Sequence, residues 1–121
     1  MKTVNQLVAE IKENGQDFEW YPTTFEIVKA FATFLKKKKK LRENFGFCGS
    51  ILDIGCGNGG FFQKLCSDSL FKNVKKYGIE KSMILSEQLP DDVILLGTDF
   101  NQQTLIDKKV DIVFCNPPYS V

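Results

Sequence analysis

The chain has 121 residues, of which 43% are hydrophobic and 26% are charged. This composition suffices for one folded domain and excludes a disordered chain. The 16 basic and 15 acidic side chains give a net charge of +1, which excludes a strong overall attraction to nucleic acids or membranes. The sequence shows no apolar membrane span and no export signal, so we expect a cytoplasmic protein.

No metal site is expected, because the sequence has no histidine and no Cys-x-x-Cys pair. Without an export signal, its four cysteines are expected to remain reduced thiols.

Residues 1–45 are predicted to form an amino-terminal helical segment. The first helix is indicated by an apolar stripe at helical spacing: Val4, Leu7, Val8 and Ile11. Thr3 and Gln6 have the spacing of a capping box, and Gly15 is a suitable residue for the helix end.

A second helix is predicted to begin after Tyr21 and Pro22, because Thr23 and Glu26 again fit a capping box. Its apolar stripe comprises Phe25, Val28, Phe31, Ala32 and Leu35. The lysine run 36–40 follows and suits the negative end of the helix dipole. We interpret this run as a solvated helix end rather than a nucleic-acid contact.

From residue 50 onward, short apolar strands alternate with helices, so 46–121 is predicted to form a second part of the chain. The predicted strands are Ile51–Ile54, Val74–Glu80, Val93–Leu96 and Val110–Cys115. The predicted helices are Asn58–Asp68 and Lys81–Leu89. This alternation predicts an α/β fold, in which helices cover both faces of a parallel sheet.

A glycine-rich loop follows the first predicted strand, where residues 53–60 read DIGCGNGG. Glycines between a strand and a helix allow the backbone to approach a ligand closely. The segment fits both the G-x-G-x-G pattern of methyltransferases and the G-x-G-x-x-G pattern of dinucleotide enzymes. The Asp53 carboxylate would repel a pyrophosphate and would attract an amino group such as that of S-adenosylmethionine, which favours the first pattern.

Further acidic residues follow the second and third predicted strands. Glu80 ends the second strand, where an acid can accept hydrogen bonds from both ribose hydroxyls of an adenosine-containing cofactor. Asp99 can accept a hydrogen bond from an adenine amino group, and Phe100 can pack on the ring. Either acid alone would be interpreted as a surface or turn residue, but their order after the glycine loop favours ligand binding.

The tetrapeptide Asn116-Pro117-Pro118-Tyr119 follows the fourth predicted strand. Two consecutive prolines fix an extended backbone, which would direct the Asn116 side-chain oxygen and the Pro117 carbonyl to one point. Two such acceptors would bind the N–H groups of an amino group, and Tyr119 would stack on a planar substrate.

With these four motifs in this order, residues 50–121 resemble the first half of a class I S-adenosylmethionine-dependent methyltransferase. The resemblance implies a Rossmann-like parallel sheet with the strand order 3-2-1-4. It implies a cofactor site that comprises Tyr21, Thr23, Asp53, Ile54, Gly55, Cys56, Gly57, Glu80, Lys81, Asp99, Phe100 and Asn116. The implied catalytic residues are Asn116, Pro117, Pro118 and Tyr119.

The last motif matches the (Asp/Asn)-Pro-Pro-(Tyr/Phe) motif of enzymes that methylate amino nitrogens. Such enzymes include N6-adenine DNA and RNA methyltransferases and the N5-glutamine methyltransferases of release factors. The segment 18–24 resembles the Phe/Tyr-x-Thr-Pro segment of adenine DNA methyltransferases, although Tyr21, Pro22 and Thr23 stand in a different order. This segment favours adenine as the substrate and DNA as the partner.

The class I fold has further strands beyond the fourth, so this chain is expected to be part of a longer enzyme. Otherwise a second copy of the chain or its amino-terminal helices would cover the edge of the fourth strand. The alternative interpretations are an N5-glutamine protein or RNA methyltransferase, a fragment that binds the cofactor without catalysis and, more weakly, a dinucleotide-dependent oxidoreductase.

Overall fold

The computed structural model of the protein describes residues 2–16, 20–37, 49–98 and 110–116. The helices are α1 (Val4–Glu13), α2 (Phe25–Lys36), α3 (Gly60–Leu65) and α4 (Met83–Ser86). The strands are β1 (Ser50–Ile54), β2 (Lys75–Ile79), β3 (Val93–Gly97) and β4 (Ile112–Cys115). The element types and their order confirm the predicted α/β fold.

The four strands form one sheet in the order β3-β2-β1-β4, and every neighbouring pair is parallel. This is the order implied by the resemblance to class I methyltransferases. Because all four strands run in the same direction, their carboxyl ends lie at one edge of the sheet. The segments that follow β1, β2 and β4 therefore meet there.

Both faces of the central strand β1 are covered. Ile51 and Leu52 each have 0% exposed surface, and successive residues of a strand point to opposite faces. The main core cluster comprises Val28, Ala32, Leu35, Ile51, Phe61, Phe62, Leu65, Phe71, Val74, Val93 and Phe114. A smaller cluster of Leu7, Ile11 and Leu85, with Trp20 and Ile84 against it, joins α1 to α4.

Aromatic rings fix α3 against the sheet. The Phe61 and Phe114 rings are stacked, with centroids 4.0 Å apart and an interplanar angle of 7°. The Phe31 ring on α2 packs edge-on against both rings, at centroid distances of 5.4 and 5.2 Å. Since α3 begins directly after the glycine loop, this packing also fixes the position of the loop.

The start of α2 corrects one prediction. The N-cap is Thr24, whose Oγ1 accepts a hydrogen bond from the Ile27 N–H at 3.4 Å, rather than Thr23. The capping box of α1 is confirmed, because Thr3 and Gln6 exchange hydrogen bonds of 2.8 and 3.2 Å. Neighbouring threonines offer the same cap chemistry, so the sequence did not distinguish them.

The helices α3 and α4 are shorter than predicted. The residues before Gly60 form a turn, and the Asp68 carboxylate caps a separate 3-10 turn at Ser69–Phe71. Ser82 caps α4, which is only four residues long. Among the described residues, no helix is long and apolar enough to cross a lipid bilayer.

Candidate functional site

Three glycines in the left-handed backbone conformation shape the loop between β1 and α3. The φ angles are +76° at Gly55, +56° at Gly57 and +85° at Gly59, a region that side chains disfavour. The backbone N–H groups of Gly55 and Cys56 both donate to the Ile79 carbonyl, at 2.8 and 3.1 Å. These two hydrogen bonds hold the loop against the end of the neighbouring strand β2.

The Glu80 carboxylate joins the glycine loop to the segment after β2. Its Oε1 accepts a hydrogen bond from the Gly57 N–H at 2.7 Å, and its Oε2 accepts one from the Ser82 N–H at 2.7 Å. Glu80 is buried, with 6% of its surface exposed. Each carboxylate oxygen has a second lone pair, so Glu80 retains the capacity to bind hydroxyl groups of a ligand.

Asp53 places a second acid beside this loop. It lies at the carboxyl-terminal part of β1 and is 3% exposed. Burial, with the negative charge of Glu80 as a smaller cause, raises the pKa of Asp53 to about 8. A buried acid of this kind is stabilised in its ionised form by a cationic group, which the amino group of a ligand would supply.

Cys56 has a packing role in the loop. A Cβ atom added to Gly78 of β2 would lie 2.5 Å from the Cys56 Sγ, so the thiol fills the space that this glycine leaves. Burial raises the pKa of the Cys56 thiol, and the charges of Asp53 and Glu80 raise it further. The thiol is thus protonated and unsuited to nucleophilic chemistry.

Trp20 is a site residue that the sequence did not reveal. A Cβ atom on Gly57 would overlap the Trp20 Nε1 and lie 3.0 Å from its Cε2, so the indole covers the loop. A small cavity of about 80 Å³ beside the indole is lined partly by Pro22, Thr23, Gly55 and Cys56. Ligand pockets usually measure ~300–1,000 Å³, so this cavity alone is too small for a whole cofactor.

The remaining predicted site residues fall into three groups. Thr23 and Ile54 are half-buried, whereas Tyr21 and Lys81 are exposed. Asn116 is half-buried and follows Cys115, which pairs with Ile54, so Asn116 lies at the same edge of the sheet as Gly55. The residues outside the described ranges are Asp99, Phe100, Pro117, Pro118 and Tyr119.

Comparison with known proteins gives matches only at the level of structure. No protein-family model matches the sequence, and no curated protein matches it either. A protein of Anabaena variabilis, described as a methyltransferase from an antibiotic biosynthesis pathway, is 25% identical with a TM-score of 0.55. That match covers 78% of this chain and 34% of the other.

Two further solved structures have methyltransferase folds. The plantazolicin methyltransferase BpumL, in complex with a pentazolic desmethylPZN analogue and S-adenosylhomocysteine, is 22% identical with a TM-score of 0.62. The match covers 87% of this chain and 39% of BpumL. CalS10 from Micromonospora echinaspora, an amino pentose methyltransferase with S-adenosylmethionine bound, is 18% identical with a TM-score of 0.52. That match covers 96% of this chain and 44% of CalS10.

These likenesses show that the chain has the Rossmann-like fold of class I methyltransferases, and that it spans less than half the length of each of these structures.

Proposed function

We propose that the chain is the cofactor-binding part of an S-adenosylmethionine-dependent methyltransferase that acts on an amino nitrogen. The observation that carries this proposal is the pair of buried acids, Asp53 and Glu80, on either side of a loop built from left-handed glycines. The presence of S-adenosylmethionine or S-adenosylhomocysteine in structures with the same fold supports it.

The two acids suit different parts of this cofactor. Asp53 would bind the amino group of the methionine part, and Glu80 would accept hydrogen bonds from the ribose hydroxyls. The Glu80 carboxylate and, above about pH 8, the Asp53 carboxylate would repel a pyrophosphate, which disfavours the dinucleotide interpretation. Asp99 and Phe100 are proposed adenine contacts from the resemblance alone.

Asn116 is proposed to bind the amino group that is methylated. When bound, the cofactor supplies an electrophilic methyl group on its sulfonium. The Asn116 side-chain oxygen would accept a hydrogen bond from the substrate N–H, which draws electron density toward the nitrogen and orients its lone pair. Pro117 and Tyr119 would add a second acceptor and a stacking surface.

We propose N6 of adenine in DNA as the first acceptor to test, because Asn116 begins an Asn-Pro-Pro-Tyr sequence. The base of a duplex would have to be flipped out to reach the site. A second acceptor class is a small-molecule or peptide amine. It is favoured by two similar structures, BpumL in complex with a desmethylPZN analogue and the amino pentose methyltransferase CalS10.

In the full-length enzyme, an Asn116→Ala variant is expected to lose methyl transfer about 100-fold or more, while its affinity for S-adenosylhomocysteine changes less than about twofold. The assay follows a tritiated methyl group from S-adenosylmethionine to an adenine-containing oligonucleotide and, separately, to small amines. Asn14→Ala, which removes a side chain that donates to the Glu10 carbonyl of α1, is the matched control and should retain transfer. Equal losses of transfer and cofactor affinity in Asn116→Ala would contradict the proposed role.

Absence of transfer by the parent, with S-adenosylhomocysteine still bound, would instead support a protein that binds the cofactor without catalysis. Transfer only to small amines would replace DNA as the substrate.

A further inference from the structure

The side chain of Gln16 joins the segment after α1 to the start of α4. Its Oε1 accepts two hydrogen bonds, from the Ser82 hydroxyl at 2.9 Å and from the Ile84 N–H at 3.0 Å. Ser82 has 0% exposed surface, and Gln16 is half-buried. This contact connects parts of the chain that are 66 positions apart.

The same serine also contacts Glu80. The Ser82 N–H donates to the Glu80 Oε2 at 2.7 Å, and the Glu80 Oε1 accepts from the Gly57 N–H at 2.7 Å. A continuous series of hydrogen bonds therefore leads from Gln16 through Ser82 and Glu80 to the glycine loop. Such buried polar networks restrict each member to one orientation when every group is paired.

The backbone fixes Gln16 for this contact. Gly15, at φ +64°, turns the chain after α1, and the Gln16 N–H donates to the Ile11 carbonyl at 2.7 Å. The apolar contact of Leu7 and Ile11 with Leu85 holds α1 against α4. Gln16 is thus restrained by its own backbone as well as by the two groups that it binds.

We propose that Gln16 is a positioning residue for the Glu80 carboxylate. By binding Ser82 and Ile84 together, it fixes the turn in which the Ser82 N–H points at Glu80. That hydrogen bond holds one carboxylate oxygen in place and leaves the remaining lone pairs directed toward a ligand. The inference rests on the proposed function, in which Glu80 binds the ribose hydroxyls of the cofactor.

The test compares three substitutions at the end of α1. Gln16→Met keeps the side-chain length and removes the acceptor, whereas Gln16→Glu keeps an acceptor oxygen. Asn14→Ala removes a nearby side chain that donates a hydrogen bond to the Glu10 carbonyl of its own helix, at 2.8 Å. Should Gln16→Met fail to fold, Gln16→Asn, which is one methylene too short to reach Ser82, provides the same comparison.

Two measurements are made on each variant. These are the affinity for S-adenosylhomocysteine by calorimetry, and the chemical shift of the Gly57 amide proton, which reports on its hydrogen bond to Glu80. We expect Gln16→Met to bind about tenfold more weakly and to shift the Gly57 resonance. Gln16→Glu should recover most of the affinity, and Asn14→Ala should match the parent.

A Glu80→Gln background separates positioning from a general structural effect. If Gln16 acts through Glu80, Gln16→Met should weaken binding by less than about twofold once Glu80 is replaced. A tenfold loss in both backgrounds, or no loss in either, would overturn the inference. Failure of the parent to bind S-adenosylhomocysteine would contradict the proposed function instead. Even in that case, an unchanged Gly57 resonance in Gln16→Met would overturn the positioning role.

Discussion

An Asp53→Asn variant is expected to be more stable than the parent by about 2 to 4 kcal/mol at pH 7, and no more stable near pH 4. The pKa of Asp53 is raised to about 8 in the folded chain, from the ordinary value of 3.8 that applies when it is unfolded. Between these values the unfolded chain releases a proton that the folded chain retains. The stability associated with Asp53 is thus fully present below pH 3.8 and is lost as the pH rises toward 8.

The free energies of unfolding of the parent and of Asp53→Asn are measured by chemical denaturation between pH 4 and pH 9. Asp92→Asn is the control with the opposite sign, because Asp92 is exposed and bonded to Lys76, which lowers the pKa of its carboxyl. This control should lose a small amount of stability at pH 7. If Asp53→Asn destabilised the chain equally at every pH, a raised pKa at Asp53 would be contradicted.

The same substitution links stability to function. Asn cannot supply the negative charge that we propose for the amino group of the cofactor, so Asp53→Asn should gain stability and lose affinity for S-adenosylhomocysteine. A residue that destabilises the fold is expected where binding needs it, because a bound ligand then stabilises its ionised form.

A Gly57→Ala variant is expected to lose about 2 to 4 kcal/mol of stability, whereas Gly55→Ala should lose only about 1 kcal/mol. Both glycines have positive φ, so both substitutions carry the backbone strain. A Cβ atom at Gly55 meets nothing within 4 Å, but at Gly57 it overlaps the Trp20 indole. The difference between the two variants therefore isolates the contact between Trp20 and the loop.

Thermal unfolding of the two variants measures this difference, at about 4 °C per kcal/mol for a domain of this size. In a Trp20→Ala background the clash is gone, and Gly57→Ala should then cost no more than Gly55→Ala. Equal losses for the two glycine variants in the parent background would show that Trp20 does not cover Gly57.

The fold could be predicted from the sequence because its signals are local. The capping box of Thr3 and Gln6 and the alternation of short apolar strands with helices each depend on neighbouring residues. The structure confirms both the capping box and the order of the strands. The predicted ends of elements were less accurate, because Thr23 and Thr24 offer the same cap chemistry and the structure uses Thr24.

The candidate site was predictable only where a motif marks it. Asp53 and Glu80 stand at strand ends around a glycine loop, and the structure brings them together at the carboxyl edge of the sheet. Neither Trp20 nor Gln16 is one of the motif residues, since their roles arise from the packing of the amino-terminal segment against residues far along the chain. Trp20 lies within the segment 18–24, from which Tyr21 and Thr23 were predicted, and this is the one signal that pointed near it.

Calorimetric titration of the chain with S-adenosylhomocysteine, beside a titration with NAD, tests the proposed cofactor site most directly. We expect saturable binding of S-adenosylhomocysteine that strengthens as the pH rises from 6 to 8, because Asp53 must release its proton to bind the amino group. NAD should bind far more weakly. Tighter binding of NAD, or no heat of binding with S-adenosylhomocysteine while the chain is folded, would contradict the assignment of this loop and its two acids.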